Sequence, residues 1–414
     1  MTKRITLIVL VFATCCFAPA QDASPRYFGV KWGALAEVKA RLTAGDKALP
    51  PALKHLEKEA ADALQIAPPS VMQKSKATPS GDPHDYMSTA PYYWPDSRKS
   101  NGLPYIRHDG KVNPESRENA SDHGRVQLLA NTVETLALAY WFTGKETYAA
   151  HAARCLQVWF LDPATRMNPN LDYAQAVPGV NTGRGTGIIE GRNIAVAADA
   201  AGLLAGSSAW TQPDNEALKA WLKTYLDWLM TSKNGRDEAG ARNNHGTLYD
   251  VQAMRLALIL GRTDLARSIA EAAGQKRIVV QIQADGRQPL ELERTASFSY
   301  SKFNLEALFA LATLADQVGV DLWHYRLPGG LCALPRAVDF LLPYVADPTK
   351  PWPYEQIKHV SRTDFGPVLR QAAVVYHEPK YEKVLAAFPE VSRERLQLLY
   401  PSSKLPSGKA AAMK

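Results

Sequence analysis

The sequence predicts an all-α fold, an incomplete (α/α) toroid of six or seven helical hairpins with a long N-terminal aromatic loop. Three observations predict it. Apolar residues recur at spacings of three and four along most of the 414 residues, the mark of amphipathic helices. The breaks between these stripes are short and carry Gly or Pro, as in Thr143-Gly144-Lys145 and Gly261-Arg262-Thr263. Alternating stretches are scarce, residues 277–284 being the one modest strand candidate. Stacked helical hairpins can close into a toroid or run on as a solenoid. No fixed-period repeat is present, which favours the toroid.

The elements follow in order. Lys3 and Arg4, the apolar run Ile5 to Phe17 and Ala18-Pro19-Ala20 have the pattern of a secretory signal peptide, residues 1–20, with cleavage after Ala20. Export to the periplasm or beyond is therefore expected. Helical patterns cover 47–66, 145–160, 190–206, 262–283, 330–346 and 378–398. The stripes Val126/Leu129/Val133/Leu136/Tyr140, Leu218/Leu222/Tyr225/Leu229, Leu248/Val251/Met254/Leu258 and Leu305/Leu308/Phe309/Ala312/Ala315 are the clearest. Pro213 suits the first turn of the second of these. No linker divides residues 21–400, so one domain is expected, followed by a Ser/Lys/Ala-rich tail, 401–414, expected to be disordered.

Composition bounds the partners. The formal net charge is +7, two units of which belong to Lys3 and Arg4. A mildly basic surface suits a polyanion, but no Lys/Arg run of the nucleic-acid kind occurs. No later stretch is apolar enough to span a membrane, and a monomer or weak dimer is expected. Cys155 and Cys332, far apart in sequence, are expected to be free thiols. Nine histidines without H-x-x-x-H or HExxH spacing predict no metal, and no cofactor is expected.

Three stretches interrupt the helical pattern while gathering polar and aromatic residues, where functional groups often sit. Ser80 to Ser116 is too rich in Pro, Gly and Asp for a helix and too aromatic for a linker. Tyr92, Tyr93 and Trp94 are candidates to stack on sugar rings, and Arg98, Lys99, Arg107 and Lys111 to meet carboxylates; packing onto the helices is an equal alternative. Arg242-Asn243-Asn244-His245-Gly246 opens a helix. One Asn is an N-cap, but two followed by His exceed what a cap needs: amides donate to carboxylates without adding charge, and His moves protons near neutrality. Glu291 to Tyr300 precedes another helix. Arg294 and Tyr300, six residues apart, would not share one helical face, yet they can converge across a loop. A fourth stretch, Gly183 to Asn193, lacks the Lys-Ser/Thr of a phosphate loop. It is expected to be a flexible loop beside a cleft, from which Glu190 or Arg192 reaches a ligand.

These residue types suit one reaction. A uronate polymer can be cut without water by neutralising the C5 carboxylate, removing the C5 proton and protonating the departing O4. Charge develops on the carboxylate, so donors aimed there supply much of the acceleration. Asn244 and His245, with Arg192 or Arg294, have that chemistry. Arg294 beside Tyr300 would favour the phenolate, allowing Tyr300 to act as base and then acid, with His245 as rival base.

At these residues the sequence resembles the alginate lyase superfamily of α/α-toroid polysaccharide lyases, closest to polysaccharide lyase family 38. The likeness runs from about residue 70 to about residue 345 and rests on SGDPHDYMSTAPYYWPD, RNNHGTLYDVQ and DGRQPLELERTASFSYSKFNLEAL. It implies β-elimination on alginate or a glucuronan-like polymer without a metal. It also implies a site of Asn244, His245, Arg294 and Tyr300, with either Asn243 or Asn244 as the carboxylate neutraliser and the Tyr as proton donor and often also base; Arg242 and Asn243 of the same block are candidates for substrate contact. A glycoside hydrolase on the same toroid would instead need paired carboxylates, drawn from Asp82, Asp85, Glu190 or Asp250. A non-catalytic glycan-binding protein would explain the aromatic loop and leave Asn-Asn-His and Arg…Tyr without purpose.

Overall fold

The computed structural model describes residues 26–31, 33–391 and 394–402; the expected signal peptide and nearly all of the expected tail lie outside them. Sixteen α-helical elements follow one another among the described residues. These are α1 Ala34–Thr43, α2 Pro50–Ala63, α3 His123–Thr143, α4 Glu146–Leu156, α5 Arg192–Ala200, α6 Gln212–Thr231, α7 Lys233–Ala239 and α8 Asn244–Ile259. The chain continues with α9 Thr263–Ala273, α10 Val279–Gln281, α11 Pro289–Leu292, α12 Ser297–Asp316, α13 Ala333–Ala346, α14 Gly366–Tyr376, α15 Pro379–Leu385 and α16 Leu396–Leu399.

The helices form two curved layers. In the inner one α3 packs on α5, α5 on α8, α8 on α12 and α12 on α14. Outside them, α4 backs α3, α6 and α9 back α8, α13 backs α12, and α15 backs α14. This is an (α/α) toroid. Its inner helices are apolar almost all round, as a layer covered on both sides requires: α8 buries every residue from Gly246 to Leu258, and α12 buries thirteen of its twenty. At the seam α16 packs on α1 and α2, and Arg395 donates to Thr135 of α3.

Local chemistry sets the boundaries. Pro213 stands in the first turn of α6, behind a Thr211/Asp214 capping box. α3 ends on Gly144 at φ 70°, a left-handed stop that favours glycine. Four short strands occur among the described residues: β1 Met87–Thr89, β2 Tyr93–Trp94, β3 Ile106–Arg107 and β4 Tyr173–Ala176. β1 pairs in parallel with β4, and β2 antiparallel with β3. Residues 80–116 are thus an ordered wrap around two small ladders. No helix among the described residues is long and apolar enough to cross a membrane. Cys155 and Cys332 form no disulfide among the described residues.

The strand expected at 277–284 is instead a π turn, Gly274–Ile278, running into α10. Its β-branched run is overridden by Arg277, only 1% exposed, whose guanidinium holds Asp250 at 2.7 and 3.0 Å and donates to the carbonyls of Ala239 and Ala241. Those carbonyls lie at the end of α7 and in the turn after it, so Arg277 fixes the turn that opens α8. Arg277→Met should strand a buried carboxylate and cost about 3–5 kcal/mol, read as a lower denaturant midpoint. Arg277→Met with Asp250→Leu should recover much of that loss.

Candidate active site

At the N-terminus of α8, Asn243 is the N-cap residue and its side chain makes no capping bond. The cap comes from elsewhere. The Glu291 carboxylate accepts from the Asn244 backbone N–H at 2.8 Å and from Asn244 Nδ2 at 2.9 and 2.8 Å. A carboxylate at a helix N-terminus is favoured by the orphan N–H groups there. Burial pushes the Glu291 carboxyl above its usual range, against the pull of Asn244, Arg294 and His245. One glutamate therefore joins the Asn-Asn-His turn to the Arg…Tyr segment, with a histidine and an arginine near it.

His245 Nδ1 bonds Glu238 Oε1 at 2.6 Å, and Glu238 on α7 is 2% exposed. With Nδ1 held by a buried carboxylate, Nε2 is the nitrogen free for other work. Gly246 is required here: a Cβ would lie 2.0 Å from Ala241 O and 2.2 Å from Arg277 Nη1.

Arg294 and Tyr300 converge as the loop reading expected. α12 starts at Ser297, its first N–H groups capped by Gln356 Oε1 at 3.0 and 3.4 Å. The Arg294 guanidinium lies 3.7 Å from the Tyr300 ring centroid. Tyr300 Oη donates to Tyr92 Oη at 2.6 Å. Arg294 also grips Asp109 in a bidentate pair of 3.0 and 2.7 Å, and Thr295 adds bonds to the same residue. The aromatic wrap is thus clamped over the site by Asp109 and Tyr92. Beneath it lies a buried polar net. Gln281 bonds Thr247, Asn304 and the Asn243 carbonyl, and Gln288 bonds Asn304 and the Ser301 carbonyl. It fixes α8 against α12.

Several expectations change. Arg294 was expected to draw Tyr300 toward the phenolate. Burial, with Tyr92, raises the phenol above its ordinary value and outweighs Arg294, so Tyr300 rests protonated. Asn244 is 1% exposed with its amide engaged by Glu291; the amide left without a hydrogen bond among the described residues is that of Asn243. Arg242 is exposed and makes no ion pair among them. Glu190, 2% exposed, accepts from Tyr86 and Ser88 and pairs with His123 at 3.1 Å, so it does not reach for a ligand. Arg192 donates to the Ile189 carbonyl beside the Phe303 ring. Trp94 is half-buried, its indole tied to the Lys111 carbonyl. Tyr93 lies under Arg184.

The glycine-rich stretch is not a flexible loop but a packed 3₁₀ run, Gly185–Gly191, where a Cβ on Gly185 would press on Asn234 and Asp237 at 3.0 Å. The hydrolase rivals are likewise occupied. Asp250 is held by Arg277, Asp85 by Ser80 and Asn168, and Asp82 by Asn168 and the His84 N–H. Glu238, Asp109 and Arg184 were missed, because nothing in their own sequence neighbourhood marks their partners.

His245 on α8 and Tyr300 on α12 stand on two inner helices of a helical toroid that pack against each other, the architecture of a class of helical-toroid enzymes. The alginate lyase family model matches residues 70–352, and the chain belongs to that family. It is similar to the crystal structure of an alginate lyase from Bacteroides ovatus, at 39% identity and a TM-score of 0.85, over 90% of this chain and 98% of that one. Alginate lyase A1-III from Sphingomonas species A1 matches at 19% identity and a TM-score of 0.58, over 93% and 99%. A variant of that enzyme complexed with a tetrasaccharide matches at 18% and 0.55, over 93% and 97%. These last two share the fold. Among curated proteins none matches.

Arg294 holds the Asp109 carboxyl low: burial pushes it up, but the guanidinium outweighs that and keeps it at about 2. A depressed carboxyl stabilises above its unfolded value, roughly 3.9, and the benefit fades as pH falls toward about 2. The wrap should therefore resist limited proteolysis down to about pH 4 and loosen below it. Asp109→Asn should be protease-sensitive at neutral pH and lower kcat/KM by about tenfold or more.

Proposed function

We propose that this chain is a polysaccharide lyase that cleaves a uronate polymer, alginate first, by β-elimination. The observation that carries the proposal is the Glu291 clasp, which brings the turn bearing Asn243 and His245 to the segment bearing Arg294 and Tyr300. Asn243, and the Arg294 Nη1 left over from Asp109, donate to the uronate carboxylate as charge develops there. His245 Nε2, with Nδ1–H held by Glu238, takes the C5 proton. Tyr300, a phenol at rest, gives its proton to the departing O4. The C5–H and C4–O4 bonds break and a C4–C5 double bond forms, without water. A second assignment, in which Tyr300 is base as well as acid, draws support from the Arg294 guanidinium stacked on its ring.

Family membership and the resemblance to the Bacteroides ovatus enzyme support this reading over a hydrolase, as does the engagement of every candidate carboxylate pair. Export by a leader cleaved after Ala20 is part of the same proposal and would place the enzyme in the periplasm or outside the cell.

Purified protein on alginate should raise the ultraviolet absorbance of the unsaturated uronate. Rising reducing ends without that absorbance would mean hydrolysis. His245→Gln should lower kcat by about 10²–10⁴. A loss of less than about tenfold would move the base to Tyr300.

A further inference from the structure

Arg184 is a half-buried guanidinium whose hydrogen-bond partners are all neutral. Nε donates to the Gln175 carbonyl at 3.1 Å, Nη2 to Gln175 Oε1 at 3.0 Å and Nη1 to Tyr93 Oη at 3.4 Å. It lies 5.0 Å from the Tyr93 ring centroid. It makes no ion pair among the described residues. A cation out of water is normally matched by an acid. Of the charged groups acting on it, Glu190 has both oxygens engaged by Tyr86, Ser88 and His123, and Arg107 is a second cation, paired with Asp109.

The surroundings are built to hold this group. Gln175, not a glycine, sits at φ 50°, a left-handed conformation that costs energy and marks functional positions. Its N–H donates to Ser88 Oγ at 2.8 Å, and Ser88 in turn donates to Glu190 at 2.6 Å. A chain of three residues, Gln175, Ser88 and Glu190, thus sets the guanidinium in place. Three of the five arginine N–H donors are used, leaving one on each terminal nitrogen, a match for two carboxylate oxygens.

Arg184 is linked through its neighbours to both halves of the proposed site. Tyr93 follows Tyr92, which meets Tyr300. Gly185, next to Arg184, would bring a Cβ to 3.4 Å from the Glu238 backbone nitrogen, and Glu238 holds His245.

We propose that Arg184, seated on Tyr93 and Gln175, binds the carboxylate of a second uronate unit, neighbouring the one that reacts. The assignment rests on the uronate lyase reading above and adds a determinant of acidic-substrate preference that acts through binding rather than chemistry.

The test is calorimetric binding of a mannuronate tetrasaccharide and of its carboxyl-reduced, neutral counterpart. It is run in a Tyr300→Phe background, so that nothing is cleaved, with and without Arg184→Gln. Arg184→Gln should weaken the acidic sugar by about tenfold to a hundredfold, the loss of one charge-assisted pair, and the neutral sugar by less than about twofold. Arg184→Lys should fall between. In kinetics, with Tyr300 intact, Arg184→Gln should raise KM and leave kcat within about twofold. Equal losses on both sugars would show a structural role and overturn the proposal. So would unchanged binding, a fall in kcat at constant KM, or no uronate binding by either protein. Binding that follows the prediction in a protein without turnover would strike the lyase reading alone.

Discussion

The site depends on one buried carboxylate. Glu291 accepts the first free N–H of α8 and, with both its oxygens, the Asn244 amide nitrogen, in a place where burial works against its charge. A desolvated carboxylate can stay there only because a helix N-terminus and an amide face it. That demand orders the residues around it. Asn244 must turn inward, which leaves Asn243 outward. His245, next along the turn, comes to Glu238, and Arg294, three residues past Glu291, reaches the ring of Tyr300. Two segments 47 residues apart become one surface by satisfying one acid.

The wrap of residues 80–116 completes that surface from outside. Its aromatics serve two ends at once, since Tyr92 meets the phenol of Tyr300 while Trp94 closes the β2–β3 hairpin. Asp109 supplies the charge that keeps Arg294 in place, with the guanidinium stacked on Tyr300. The carboxylates that might have served hydrolysis are counter-ions or hydrogen-bond anchors for this framework.

Much of this was legible from residue pattern. The stripes on α3, α6, α8 and α12 gave the helices, because the face of a helix that meets the core repeats its apolar residues at the helical period. The Asn-Asn-His turn and the Arg…Tyr segment stood out as polar chemistry where capping alone would ask for less. What stayed hidden were partners distant in sequence. Asp109 reads as part of an ordinary His-Asp-Gly turn until Arg294 is placed against it, and Glu238 as one more acid on a short surface helix. Local signals also misled. The β-branched run near 280 suggested a strand, but the buried Arg277–Asp250 pair fixes it as helix. Glycines at 183–191 suggested freedom, and they serve close packing. Proximity of Arg294 to Tyr300 suggested a phenolate; desolvation, invisible in sequence, wins.

The most direct measurement is a crystal structure of the Tyr300→Phe protein with a uronate oligosaccharide bound. The account predicts the sugar in the groove beneath the wrap, with one carboxylate on Asn243, its C5 facing His245 Nε2, and the glycosidic oxygen within hydrogen-bond reach of the removed hydroxyl. An oligosaccharide seated away from Asn243 and His245, or with its glycosidic oxygen remote from position 300, would contradict it.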